Sequence, residues 1–187
     1  MPSLKNSLND YHKLIQEVWN NLHLENIGCL ENDLFDAWKK RNKVFLCGNG
    51  GSAANANHLA NDLLYGICPD GEGIMVNSLS SNASVSTCLA NDIGFDHIFS
   101  KQLSILGSKN DLLLVMSGSG NSENIIEALL QAKKMGIKTH AMLGFNGGKS
   151  KEIADNVIHF EVQDMQISED MQMIIGHILM KRLRDRK

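Results

Sequence analysis

Residues 112–132 read LLLVMSGSGNSENIIEALLQA, an apolar run followed at once by a polar turn and an amphipathic helical pattern. An apolar run of strand length that ends in turn residues is typical of a strand buried on both faces. The turn, residues 117–122, contains three serines, two glycines and one asparagine. A plain connecting turn needs fewer such residues, so the excess indicates that the turn holds something.

The alternation of strand and helix patterns continues along the chain. Apolar runs of strand length occupy residues 44–47, 74–76, 112–116, 139–143 and 157–160. Helical patterns occupy residues 52–65, 82–91, 95–106, 121–135 and 165–184. Apolar strands separated by helices indicate a parallel sheet that is covered on both faces, and right-handed crossovers make it doubly wound. The sequence therefore predicts an α/β fold.

The first part of the chain has a different pattern. Residues 4–41 show helical periodicity without strands, and we expect two helices joined near residues 26–28. The 187 residues are 43% hydrophobic and 21% charged, with two prolines, which is the composition of one compact domain. We predict a single domain over residues 1–187, with residues 1–41 as an N-terminal helical extension.

Charge and apolar content limit the possible partners and location. The net charge is −3, and the basic residues are scattered except for a short C-terminal tail, so we expect no nucleic-acid partner. No apolar run approaches the roughly 20 residues that cross a bilayer, and no signal peptide is recognisable, so we expect a cytoplasmic protein without membrane contact. The four cysteines form no CxxC pair, and Cys47 is predicted to be a buried free thiol.

Two strand-to-helix junctions are rich in small polar residues, at residues 47–54 and 117–122. Each would place backbone N–H groups and hydroxyls at a helix N-terminus, which is an anion site and most often a phosphate site. Ordinary turns with serine caps are the alternative, although two such junctions in one small sheet make it the weaker one. Neither junction has the Walker or GxGxxG pattern, so a phosphorylated small molecule is favoured over a nucleotide.

Two predicted helices carry residues that can bind a metal. His58 and Asp62 are four positions apart and point the same way. Asp170 and His177, seven apart, share a face of the last helix, and Glu169 diverges from His177 by about 80°. From spacing alone these groups are either surface decoration or ligands of one ion.

Two motifs together resemble the sugar isomerase, or SIS, family: CGNGGSAANANHLANDL (47–63) and SGSGNSENIIEAL (117–129). Three more narrow the similarity to its phosphoheptose isomerases: CLANDIGFDHIFSKQL (88–103), GFNGGK (144–149) and GHIL (176–179). Those enzymes convert D-sedoheptulose 7-phosphate to D-glycero-D-manno-heptose 7-phosphate. The resemblance implies a five-stranded parallel sheet preceded by two helices, and a homotetramer with active sites between subunits.

The resemblance also implies which residues bind the substrate. It assigns the phosphate to the turn formed by Ser117, Gly118, Ser119 and Ser122. It assigns the sugar to Asn49, Gly50, Ser52 and Asp92. Gly118 stands where the heptose enzymes more often have threonine. His97 is a residue that a tetramer could bring to a neighbour's site.

A zinc site is the last implication of the resemblance, with the ligands His58, Asp62, Glu169 and His177. Asp62 and His177 are also the implied proton-transfer residues. Asp62 stands where the family has glutamate and is shorter by about 1.5 Å. Glu169 stands where the family has glutamine, and the register here is uncertain by one residue, which makes Asp170 the alternative. Two histidines and two carboxylates suit Zn²⁺.

Three functions remain open at this stage. The leading hypothesis is a phosphoheptose isomerase that works by base-mediated proton transfer. An isomerase for another ketose phosphate is the close alternative, because the departures at Asp62 and Glu169 affect the sugar end of the site. A non-catalytic SIS-fold binding or regulatory protein is the third, and the pairing of His58 with His177 favours an enzyme over it.

Overall fold

The computed structural model describes residues 3–186, and its centre is a parallel sheet of five strands. The strands lie in the order β2-β1-β3-β4-β5. Their bounds are Lys43–Gly48 (β1), Met75–Ser78 (β2), Leu112–Ser117 (β3), Lys138–Leu143 (β4) and Asn156–His159 (β5). In register, Leu112 of β3 lies opposite Val44 of β1 and Lys138 of β4. The order changes direction between β1 and β3, which is the point where ligands bind in such sheets.

Helices flank this sheet. Within residues 3–186 their bounds are Leu4–Asn20 (α1), Leu24–Lys40 (α2), Gly50–Asn61 (α3), Ala83–Ile93 (α4), Ile98–Leu106 (α5), Glu123–Met135 (α6), Ser150–Ile153 (α7) and Met165–Asp185 (α8). A short 3₁₀ turn, Phe95–His97, precedes α5. No helix in this part of the chain is both long and apolar enough to span a bilayer.

The sheet has an apolar cluster on each face. Leu112 and Leu114 of β3 belong to the cluster that includes α1, α2, α3 and α8. Leu113 and Val115, which point the opposite way, belong to the cluster that includes α5 and α6. Cys47 lies in this second cluster as a buried free thiol, and its burial raises the pKa of the thiol. The predicted α/β class, five-stranded parallel sheet and buried Cys47 are confirmed.

The junction between the first two helices differs from the prediction. The helices meet at residues 21–23, and Gly28 lies inside α2 rather than between helices. The Asn21 N–H bonds to the Val18 and Trp19 carbonyls and so closes the end of α1. Glycine in a helix interior costs only about 1 kcal/mol, which the apolar face of α2 offsets by packing on the sheet. Gly28 therefore does not mark the junction between the two helices, and the predicted position of that junction was wrong.

The predicted helix over residues 52–65 changes type near its end. It continues beyond α3 as a π-helical turn, Asp62–Gly66. In this turn the Ile67 N–H bonds to the Asp62 carbonyl at 2.7 Å, which leaves the Leu63 carbonyl free. The Leu63 carbonyl instead accepts the Ile74 N–H at 2.9 Å, just before β2. Such turns occur frequently at functional sites, and this one begins at Asp62.

Candidate active site

The two polar junctions meet at the switch point of the sheet. Strands β1 and β3 are neighbours, so the loops after them lie side by side, and each leads into a helix N-terminus. The Asn49 Nδ2 donates to Asn124 Oδ1 at 2.8 Å, and the Asn124 Nδ2 donates back to Asn49 Oδ1 at 2.9 Å. This reciprocal amide pair ties the first loop to the start of α6. The Asn49 side chain, which was predicted to face the sugar, thus also holds the two loops together.

A cavity of about 260 Å³ lies between the loops. It is lined by all the predicted substrate-binding residues except Asp92, and by three further residues that the sequence analysis did not assign to substrate binding. The lining residues are Asn49, Gly50, Gly51, Ser52, Ser117, Gly118, Ser119, Ser122, Met165 and Glu169.

The serine turn is shaped so that its hydroxyls remain available as donors. Ser117 Oγ accepts the Gly120 N–H at 3.0 Å, and Ser119 Oγ accepts the Asn121 N–H at 3.2 Å. Each accepted bond leaves the hydroxyl hydrogen free for a ligand. Ser122 is the N-cap of α6 and makes no capping bond with its side chain. Gly120 adopts a positive φ of 65°, which lets the turn close against Gly147. The arrangement can bind an oxyanion.

Gly118 is covered by Met165. A Cβ atom added at Gly118 would overlap the Met165 sulfur, so the thioether fills the space beside the glycine. The resemblance described above matches Gly118 with a position that more often carries threonine. In this chain an apolar group stands where that side chain would be.

The second part of the site lies between α3 and α8. His58 Nε2 and His177 Nε2 are 3.1 Å apart, and Asp62 Oδ2 lies 3.5 Å from each of them. Both imidazoles are about half exposed, whereas the Asp62 side chain is 15% exposed. Gly176 permits this close pairing of the helices, because a Cβ there would lie 3.1 Å from a methyl group of Leu59.

The three side chains fit a divalent metal ion. Their ligand atoms all lie within 4.8 Å of one another. Ligands that bind zinc tetrahedrally at 2.0–2.1 Å are about 3.3 Å apart, and the three observed separations bracket that value. Two imidazoles and one carboxylate, with an open fourth position, form the ligand set of a catalytic zinc site.

Glu169, the predicted fourth ligand, lies outside this group. Eight residues separate it from His177, which is about 12 Å along a helix. Its carboxylate lies instead against Gly51, where an added Cβ atom would overlap Oε2. Glu169 was predicted to bind the metal because it matches a glutamine of the family. The structure places its side chain in the cavity instead.

Asp170, the alternative in register, faces another helix. The Tyr11 hydroxyl of α1 donates to Asp170 Oδ2 at 2.6 Å. This hydrogen bond raises the pKa of Tyr11 to about 12. Asp170 therefore attaches α1 to α8, and it does not line the cavity.

Asp92 and His97 lie away from the cavity of their own chain. Asp92 is on α4, a helix without buried residues, where it accepts the Cys88 thiol at 3.4 Å and the Asn91 amide at 2.9 Å. The Cys88–Asp92 hydrogen bond raises the pKa of that thiol. His97 is likewise exposed, in the 3₁₀ turn before α5. Neither residue lines the cavity.

Two side-chain amides, those of the buried Gln172 and the half-buried Asn55, support the site and were missed in the sequence. Gln172 of α8 donates from Nε2 to Ser52 Oγ at 3.2 Å and accepts Asn55 Nδ2 at 3.0 Å. The same Asn55 amide donates to the Glu169 carbonyl at 2.9 Å. The available signal was a polar residue, Gln172, on the apolar face of the last helix. These bonds fix the first loop against α8 and so position the Ser52 hydroxyl.

The fold and the site together define an α/β domain with a polar cavity between two helix N-termini, and comparison with known proteins gives its family. The SIS domain model matches residues 8–144. The chain therefore belongs to the SIS domain family.

Phosphoheptose isomerases are among the similar proteins, both by sequence and by structure. One from a Nitratiruptor species is 36% identical over 180 residues, which is 94% of each chain. The solved phosphoheptose isomerase structure from Francisella tularensis is 28% identical, with a TM-score of 0.91 over 100% of both chains. The one from Neisseria gonorrhoeae is also 28% identical, with a TM-score of 0.88 over 96% of both chains.

Proposed function

We propose that this chain is a phosphosugar isomerase that converts D-sedoheptulose 7-phosphate to D-glycero-D-manno-heptose 7-phosphate. One observation carries the proposal: an oxyanion-binding cavity and a His–Asp–His group lie along the same pair of helices. The names of the relatives, phosphoheptose isomerase, support the same activity.

The spacing of the two parts suits a long sugar phosphate. His58 follows Gly51 by seven residues, which is about 10 Å along α3. Glu169 and His177 are separated in the same direction along α8. A sugar chain with its phosphate at one end can therefore reach the His–Asp–His group with its carbonyl end while the serine turn holds the phosphate.

The serine turn holds the phosphate through three kinds of group. The hydroxyls of Ser117, Ser119 and Ser122 donate to its oxygens. The backbone N–H groups of the turn, including that of Gly118, add further donors. The N-terminus of α6 adds the positive end of a helix dipole. This binding fixes one end of the substrate and leaves the carbonyl end to be positioned by the other residues.

The reaction moves protons without net oxidation. A proton leaves C1 of the ketose and returns at C2, while the hydroxyl proton passes from O1 to O2. We assign the carbon-bound proton to the Asp62 carboxylate and the oxygen-bound proton to His177, since carboxylates and imidazoles are common general acids and bases in enzymes. The low exposure of Asp62 keeps water away from its carboxylate.

His58, Asp62 and His177 would hold a zinc ion. Bound zinc polarises a carbonyl and so acidifies the neighbouring C–H. The proposed ligand set is three residues, without Glu169.

A homotetramer completes the proposal. Apolar side chains are exposed on α1 and around the β2 edge, including Leu4, Leu8, Leu64, Tyr65 and Ile105. A second copy would cover such surfaces, and a neighbouring subunit would then supply Asp92, and His97 beside it, to the site. Light scattering should give about four times 20.6 kDa, and a monomer at micromolar concentration would contradict this assembly.

We place the protein in the cytoplasm. We also propose that the chain is one SIS domain in which residues 1–41 form an N-terminal extension.

The activity is tested with a panel of substrates. Ketose 7-, 6- and 5-phosphates are incubated with the protein, and aldose formation is followed by NMR. Formation of the heptose 7-phosphate alone supports the proposal. Conversion of a shorter ketose phosphate in its place favours the alternative isomerase, and binding without conversion of any of them favours a regulatory SIS protein.

A further inference from the structure

A short chain of hydrogen bonds leads from the backbone of α8 to the Ser52 hydroxyl at the cavity. The Asn55 Nδ2 donates to the Glu169 carbonyl at 2.9 Å and to Gln172 Oε1 at 3.0 Å. The Gln172 Nε2 then donates to Ser52 Oγ at 3.2 Å. The side chains of Gln172 and Ser52 are both buried, so water competes little for the bond between them.

The direction of each bond in this chain follows from its first acceptor. A backbone carbonyl can only accept, so the Asn55 amide must turn Nδ2 toward the Glu169 carbonyl. Gln172 must then turn Oε1 toward that same nitrogen, because the opposite orientation would set two donors against each other. Its Nε2 consequently points at Ser52, whose oxygen accepts. The orientation of both amides is therefore set by one backbone carbonyl.

This arrangement leaves the Ser52 hydroxyl with one hydrogen to donate. Its oxygen accepts from Gln172, and within residues 3–186 it donates to no acceptor. Ser52 lines the cavity, so a ligand there can take the hydrogen. A serine hydroxyl without such a neighbour can rotate and either donate or accept. Gln172 removes that choice.

We propose that Gln172 is a positioning residue that makes Ser52 a fixed hydrogen-bond donor to the sugar phosphate. The partner of Ser52 is an accepting oxygen of the substrate at the end of the cavity where α3 begins. Gln172 does not line the cavity, and it acts by orienting the hydroxyl before the substrate binds, which lowers the ordering cost of binding. This inference rests on the proposed function, since it concerns how the same site recognises its substrate.

Reversing the direction of the chain tests the proposal. Gln172→Glu keeps the shape and replaces the donor by an acceptor, so Ser52 should donate to the new carboxylate instead of to the cavity. Asn55→Asp should cause the same reversal one step earlier, because Gln172 would turn Nε2 toward the new carboxylate and Oε1 toward Ser52. A carboxyl group that accepts hydrogen bonds is favoured in its ionised form, and measurement at about pH 8.5 keeps it so.

Calorimetry with sedoheptulose 7-phosphate on chelator-treated protein gives the loss of affinity that Ser52→Ala causes in each background. In otherwise wild-type protein the loss should be about three- to tenfold, the scale of one hydrogen bond. In Gln172→Glu and in Asn55→Asp it should fall to less than about 1.5-fold, because the hydrogen no longer reaches the substrate. Comparing affinities within one background cancels the effect of the added charge.

Ser119→Ala is the matched control in the same three backgrounds. Ser119 lines the same cavity but has no bond to the chain of amides, so its loss of affinity should be the same in all three. A merely structural role of Gln172 would change both losses together. If Gln172→Glu does not fold, Asn55→Asp decides alone, since Asn55 is only half-buried.

The outcomes separate this inference from the proposed function. No loss from Ser52→Ala in otherwise wild-type protein, or an equal loss in all backgrounds, would overturn the role of Gln172 and leave the proposed function standing. A parallel fall in the Ser119→Ala loss would also overturn it, because a general disturbance of the cavity would then explain both. If wild type does not bind sedoheptulose 7-phosphate, the proposed function fails and this inference fails with it.

Discussion

His58 Nε2 and His177 Nε2 face each other at 3.1 Å, although 119 positions separate the two residues in the chain. The helices that carry them run side by side in the same direction, with Gly51 near Glu169 at one end and Leu59 near Gly176 at the other. Asp62 Oδ2 completes the group at 3.5 Å from each nitrogen. Three ligand atoms at these separations could hold one metal ion.

We expect protein purified without chelator to carry close to one Zn²⁺ per chain. His58→Ala and His177→Ala should each reduce the zinc content severely, because either change leaves two of the three ligands. Elemental analysis by mass spectrometry measures the content. His12→Ala, an exposed histidine on α1, is the matched control and should retain the metal. Metal-free wild-type protein, or equal loss in the control, would contradict the site.

Ser119→Ala should weaken sugar-phosphate binding by about 1–2 kcal/mol, the scale of a hydrogen bond to a charged group. The hydroxyl of Ser119 keeps a free hydrogen in the cavity and is expected to donate it to the phosphate. Calorimetric titration measures the change. Ser104→Ala, on the exposed side of α5, should have no effect. Unchanged affinity in both Ser119→Ala and Ser117→Ala would place the phosphate elsewhere.

Acid should destabilise the protein through His140. This histidine is buried, and burial lowers its pKa below the usual 6.5 even though Asp33 accepts its Nε2–H at 2.8 Å. Its Nδ1 accepts the Asn156 amide at 2.9 Å, and the same amide donates to the Asn26 carbonyl at 2.9 Å. Protonation of Nδ1 would break the bond between His140 of β4 and Asn156 of β5, and so disturb the amide that also bonds to α2. Lys138 and Asp155 are the other charged groups that act on it.

The direction in which stability changes with pH follows from the lowered pKa of His140. The stabilisation is present above the unfolded-state pKa of about 6.5 and is lost as the pH falls through the folded-state pKa. His140→Gln takes up no proton here, so its melting temperature should fall less than that of wild type between pH 7.5 and 5. Thermal melts at both pH values measure this, with His12→Gln as the exposed control. An identical fall in His140→Gln and wild type would contradict the role of His140.

The sequence predicted the fold well because its strand signals are strong and local. The run at 112–116 is apolar throughout and its four counterparts are mainly apolar, which is typical of strands in a covered parallel sheet. The helix junction near Gly28 was misplaced because packing on the sheet overrides the preference of one glycine. The π turn at Asp62 was not predictable, since it arises when Ile74, on the approach to β2, takes the Leu63 carbonyl.

The site was predicted in part, for similar reasons. Ser117, Ser119 and Ser122 follow one strand and lie together by local geometry. His58, Asp62 and His177 come together only through the packing of α3 on α8, so the resemblance rather than spacing predicted their grouping. Glu169 was misplaced by that same comparison, since two helical turns lie between it and His177. The roles of the Asn124 and Gln172 amides could not be predicted, because neither belongs to a recognisable motif and their partners lie far along the chain.

The most direct test of the proposed activity compares wild type with Asp62→Asn on sedoheptulose 7-phosphate, with the aldose followed by NMR. Asp62→Asn keeps the size of the side chain and removes the base, so the rate should fall by about 10²–10⁴-fold. Asp170→Asn, which leaves the His–Asp–His group intact, should convert the sugar at close to the wild-type rate. We predict rapid formation of D-glycero-D-manno-heptose 7-phosphate by wild type and Asp170→Asn only. No conversion by wild type, or equal rates in wild type and Asp62→Asn, would contradict the account.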